Sequence, residues 1–95
     1  MTYILSLMTD DVRPEVDPVR AAIGANVRAE MARRGVAQIQ MSRVIGRSQQ
    51  QFSERLLGRI DFGATELLQI AQHLDVPLER LMSVDDLTAD VAGFA

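Results

Sequence analysis

Residues 41–58 read Met41-Ser42-Arg43-Val44-Ile45-Gly46-Arg47-Ser48-Gln49-Gln50-Gln51-Phe52-Ser53-Glu54-Arg55-Leu56-Leu57-Gly58, and this stretch decides the fold. Met41, Val44 and Ile45 recur at helical spacing, which predicts a short amphipathic helix over 38–45 that Gly46 ends. Ser48 then offers a side-chain oxygen to cap a new helix. That helix is expected to run from Gln49 to Leu57 and to close at Gly58. Its inner face carries Phe52, Leu56 and Leu57. Phe52 falls on the inward period and is read as a core plug, not as a ring for stacking on a base.

Two short helices joined by Gly46-Arg47-Ser48 have the form of a helix-turn-helix. The glycine has a physical role there, since so sharp a turn commonly needs a residue at positive φ. The second helix then turns its polar face outward, with its first residues aimed at base edges in a major groove. That face begins Gln49-Gln50-Gln51, and a glutamine amide can bond adenine N6 and N7 together. Glu54 lies one turn further along and can accept from cytosine N4. Ser53 on the same helix is counted with the base readers, Gln49, Gln50 and Glu54. Gln38, Arg43, Arg47, Ser48, Arg55 and Arg59 are expected at phosphates, which fix register and supply salt-sensitive affinity.

Outward from this stretch the chain reads as helices throughout. Asp17 is a suitable N-cap with Pro18 at the first helical position. Ile23, Val27 and Met31 recur at four-residue spacing beside Val19 and Ala22, and Gly35 stops that first helix. Arg33 and Arg34 in its last turn suit either the helix dipole or a phosphate. Ile60 and Phe62 read as loop residues that plug the core. A fourth helix over 64–74 carries Leu67, Leu68, Ile70, Ala71 and Leu74, and His73 near its end reads as a surface or capping residue. Pro77 opens a short fifth helix with Leu78, Leu81 and Met82 inward. The expected division is an arm over 1–16, a helix-turn-helix domain over 17–82, and an acidic segment over 83–95. In that last segment Leu87, Val91 and Phe94 fit one more amphipathic helix, which would cover either the core or, as the preferred reading, a second subunit as a dimerisation helix.

Composition narrows the function. Ninety-five residues hold one modest core. With no cysteine and one histidine, disulfides and thiolate metal sites are excluded, and an enzyme is not expected; nor is any cofactor or small-molecule ligand. The apolar run Tyr3–Met8 lacks a preceding positive charge and is too short to span a bilayer, so a cytoplasmic protein off the membrane is expected. The net charge of −3 is unevenly spread. Residues 20–60 hold eight arginines against two acids, a local +6, between acidic flanks of −3 and −6. A basic middle suits a polyanion. All ten basic residues are arginine, whose planar fork matches phosphate and guanine.

Residues 28–82 resemble the lambda-repressor/Cro-type (XRE-like) helix-turn-helix family, especially small regulators of actinobacteria and their phages. The resemblance rests on residues 41–58 as quoted, then Ile60-Asp61-Phe62, Glu66-Leu67-Leu68-Gln69-Ile70-Ala71 and Leu74-Asp75-Val76-Pro77. It implies an all-α, five-helix domain that binds double-stranded DNA as a homodimer on an inverted-repeat operator. By position, Gln49, Gln50 and Glu54 would read bases, while Gln38 and Ser48 would hold phosphate. Three residues depart from the family pattern. Ala37 stands where a capping Ser or Thr is common, Ser42 where a small Ala is usual, and Asp75 where Gly is usual. The implied function is transcriptional regulation, as a repressor or Cro-like protein of phage or prophage origin. An alternative is an antitoxin or other interaction module that also binds its own promoter. The short acidic C-terminal stretch ranks it lower.

Overall fold

Asp17 opens the first helix, α1 (Pro18–Arg34). Its carboxylate accepts from the backbone N–H groups of Val19 at 2.9 Å and Arg20 at 3.1 Å. A helix start leaves such donors without intrahelical partners, and the cap supplies them. The computed structural model describes residues 16–84. Within them the chain forms α1, α2 (Gln38–Val44), α3 (Gln49–Leu56), α4 (Ala64–Leu74) and α5 (Leu78–Met82), with no strand. The described residues are all-α, as the sequence implies. The expectations for residues 1–15 and for a helix carrying Leu87, Val91 and Phe94 lie outside the described residues.

Four of the five helices end in one recurrent way. After α1, Gly35 takes the left-handed conformation and the Val36 N–H reaches back to the Met31 carbonyl at 2.9 Å. Arg47 to Ser42, Arg59 to Glu54 and Val76 to Ala71 repeat this bond after α2, α3 and α4. It satisfies carbonyls that a helix end would otherwise leave bare. After α4 the left-handed residue is Asp75, at φ 56°; Asp tolerates that region better than most side chains do. Consequently α2 and α3 each stop one residue short of the expected limit, and Pro77 caps α5 instead of lying within it.

α1 packs against α3, α4 and α5, α2 packs on α3 and α4, and α5 closes on α4. Their shared core includes Val27, Met31, Met41, Leu56, Ile70, Leu74 and Leu81. Phe52 is fully buried among them, and the Phe62 ring meets it edge-on at 5.9 Å. Four expected core residues lie at the surface instead, namely Leu57, Ile60, Leu68 and Met82. Leu57 falls in the turn after α3, where the helical period no longer holds, and Ile60 stays out in the loop while Phe62 alone turns inward. Leu68 and Met82 line a shallow apolar groove with Phe62, Ala64, Leu67 and Leu78. Val19 is also exposed.

Polar groups inside are paired. Asn26 on α1 donates to the carbonyls of Leu81 at 3.0 Å and Ser83 at 2.7 Å, fastening the end of α5. Buried Glu30 receives both Arg33 and Arg34, which accounts for that arginine pair without a phosphate. Among the described residues, no buried side-chain nitrogen or oxygen lacks a partner. No described helix is long and apolar enough to cross a membrane.

Candidate nucleic-acid interface

The turn between α2 and α3 is built on Gly46. Its φ of 68° lets the chain reverse, and the Arg47 N–H then bonds the Ser42 carbonyl at 2.9 Å. Ser42 is itself buried, with its hydroxyl donated to the Ile39 carbonyl at 2.7 Å. The hydroxyl at this helix contact is therefore satisfied within α2. α2 begins at Ala37 with no side-chain cap, as its sequence implies.

Ser48 starts α3 with a reciprocal pair of bonds. Its hydroxyl oxygen accepts from the Gln51 N–H at 3.1 Å, and the Gln51 side-chain oxygen accepts from the Ser48 N–H at 3.0 Å. This is a capping box. It corrects one expectation: only two of the three consecutive glutamines present free amides, because Gln51 is spent on the cap. Ser48 keeps its hydroxyl proton, which remains available to an outside acceptor such as a phosphate oxygen.

At 3.6 residues per turn, positions 49, 53, 50 and 54 fall in that order within an arc of about 140° on α3. The other four, 51, 52, 55 and 56, fill the opposite side. Gln49 and Gln50 are exposed, and no described residue bonds their side chains. Ser53 and Glu54 are half-buried on the same face. The outward arc thus carries the four side chains expected to read bases.

The arginines divide. Arg43, in the last turn of α2, is exposed and has no ion-pair partner among the described residues. Arg47 donates Nε to Glu66 at 2.7 Å and leaves the rest of its guanidinium half-exposed. Arg59 donates Nη1 to Glu54 at 3.0 Å, also half-exposed. Arg55 is different. It is buried, with Nε on Glu66 at 3.1 Å and Nη1 on the Gln51 carbonyl at 3.0 Å. The expectation of a phosphate contact at Arg55 is corrected on this ground: its fork faces the interior and is already engaged. Gln38 is half-buried as the first residue of α2.

Glu66 is the residue sequence reasoning missed as a partner. It accepts from Arg47, from Arg55, and from the Gly63 N–H at 2.9 Å. Burial pushes its carboxyl pKa up, but the Gly63 N–H and the two guanidiniums outweigh that and hold it below the ordinary glutamate range. One buried carboxylate thereby ties the turn, α3 and the start of α4 together. The signal was present in the sequence, since Glu stands three residues after a glycine cap and before an apolar run. Its two arginine partners leave no such trace. Among the described residues no group of three or more His, Cys, Asp or Glu is placed to hold a metal ion.

The fold and this face together are those of a small helical domain with a helix-turn-helix. No protein-family model matches the chain, and no curated protein sequence matches it. Solved structures do. One structure of the clp gene regulator ClgR from Corynebacterium glutamicum superposes with a TM-score of 0.62 at 23% identity, covering 67% of this chain and 83% of that one. A second structure of the same regulator gives 0.64 at 22% identity, covering 80% and 88%. At these identities the likeness establishes the all-α fold that the two proteins share.

Proposed function

We propose that this chain is a DNA-binding transcriptional regulator that reads duplex sequence by laying α3 in a major groove. The observation that carries this reading is the start of α3. There a satisfied cap holds the helix while Gln49 and Gln50 present two unengaged amides side by side on its outer face. Such amides have donor and acceptor spaced for adenine N6 and N7. Arg43, Arg47, Ser48 and Gln38 would grip phosphates beside them. Glu54 and Ser53 complete the reading face. The basic balance of residues 20–60 and the fold shared with a protein described as a gene regulator support the same conclusion.

The finer reading is a repressor or Cro-like protein of phage or prophage origin, acting as a homodimer on an inverted repeat. It rests on the resemblance of residues 28–82 and on the exposed apolar side chains of Leu68 and Met82. One such domain reads few base pairs, and two half-sites about a helical turn apart restore specificity. Mass measurement in solution, with and without operator DNA, tests the dimer; monomer under both conditions defeats it.

The primary experiment is a titration of the chain against labelled random duplex and against duplexes enriched from a random pool, repeated over a salt series. The expected result is preference for the enriched sequences and affinity that falls steeply with salt, with a log–log slope of about −0.9 per neutralised phosphate. Failure to bind any duplex at low salt overturns the function.

A further inference from the structure

Arg59 is anchored through both its backbone and its side chain. It follows α3 by three residues, across Gly58 at φ 85°. Its backbone is held at both ends: its N–H bonds the Glu54 carbonyl at 3.1 Å, and its own carbonyl receives Arg20 Nη1 at 3.5 Å. Arg20 is in turn fixed by Asp61, Nε to Oδ1 at 3.0 Å. From this fixed point the Arg59 side chain folds back along α3 and places Nη1 3.0 Å from Glu54 Oε2. The other oxygen, Oε1, has no partner among the described residues.

We infer that Arg59 is a positioning residue for Glu54, orienting its carboxylate so that Oε1 accepts an exocyclic amine in the major groove and selects cytosine. This deepens the DNA-reading proposal and rests on it. Two physical arguments support it. A lone carboxylate beside phosphates is repelled, whereas one already paired with a guanidinium approaches without net charge. Then the groove edges decide the base. Cytosine offers the N4 amine alone, adenine sets its N7 acceptor beside the amine, and guanine and thymine offer acceptors where the carboxylate needs a donor. An exposed pair of this kind adds little to stability, so its effect is expected in selectivity.

The test is enrichment from a randomised duplex pool by the full chain, in parallel with Glu54→Ala, Arg59→Ala, Arg59→Lys and Arg43→Ala, each checked for a cooperative thermal melt. The wild-type chain is expected to prefer cytosine at one position by roughly 5- to 150-fold. Glu54→Ala and Arg59→Ala should each flatten that one position and leave the positions read by Gln49 and Gln50. Arg59→Lys should restore part of the preference. Arg43→Ala should weaken all sequences alike. If Arg59→Ala also weakens all sequences alike and keeps the cytosine preference, Arg59 is a phosphate contact and the inference is overturned. An unchanged profile in Glu54→Ala overturns it too. In both cases the reading by Gln49 and Gln50 survives, whereas a wild-type chain that enriches nothing brings down the DNA-reading proposal as well. Should Arg59→Ala fail to melt cooperatively, Arg59→Gln decides on the same criteria.

Discussion

The Cα of Gly24 lies against the main chain of Leu56, so closely that a Cβ at position 24 would stand 2.0 Å from the Leu56 carbonyl oxygen. This is where α1 crosses the end of α3, and the partner is backbone, which cannot rotate aside. Gly24→Ala is therefore expected to destabilise the domain in spite of alanine's better helix propensity. Overpacking of this sort costs about 1–3 kcal/mol, and a rigid neighbour puts the effect at or above the upper end. Thermal melting followed by circular dichroism should show a fall of about 4–8 °C per kcal/mol. A melting point within 2 °C of the wild type refutes the close approach.

Ala37 gives the opposite expectation. It occupies the N-cap of α2 with φ −80° and ψ 154°, the extended geometry of a capping residue, yet has no side chain to accept a bond. Ala37→Ser should add about 1 kcal/mol by satisfying an N–H in the first turn of α2. The same melting assay should show a higher midpoint, and an unchanged or lower midpoint counts against the cap.

Glu66 predicts a pH dependence. Its carboxyl titrates lower in the folded chain than in the unfolded one, so the folded state binds fewer protons as pH falls. The stabilisation is then complete above the ordinary glutamate pKa and is lost as pH drops through the lowered folded value. Denaturant midpoints measured downward from neutral pH should fall across that acidic range. In Glu66→Gln the fall should be smaller, and the variant should be less stable at pH 7 by about 3 kcal/mol, because Arg55 keeps a buried charge without its counterion. Parallel pH profiles for the two proteins rule out the linkage.

The proposed DNA-reading face yields a pair of contrasting outcomes. Gln49→Ala and Gln50→Ala should each reduce discrimination among enriched and random duplexes by about 1–3 kcal/mol while leaving non-specific affinity in place. Arg43→Ala should weaken binding to every duplex and reduce the salt slope by about 1. Operator preference that survives the loss of both glutamine side chains removes them from the reading role.

Much of this arrangement was legible because it is local. Asp17, Gly35, Gly46, Ser48 and Gly58 announce helix limits through rules that act within a few residues, and four of the five helices begin at the residue expected. What the sequence hid was long-range. Nothing near Arg55 distinguishes it from Arg43; only the return of α4, eleven residues later, brings Glu66 to it and turns one arginine inward. Gln51 was misjudged for a subtler reason. Its side chain had two suitable partners, a base or the Ser48 N–H, and the nearer one won. Ile60 and Met82 look like core by type, but their place in a loop and on the rim of a groove keeps them out.

The eight positions of α3 thus separate into two sets with different obligations. Residues 51, 52, 55 and 56 answer to the cap, the core and Glu66, while 49, 50, 53 and 54 answer to whatever lies outside. A graft that rewrites the second set alone would change the target without renegotiating the scaffold. A whole-helix transplant, by contrast, must carry an arginine at 55 or leave Glu66 with Arg47 as its one guanidinium partner among the described residues.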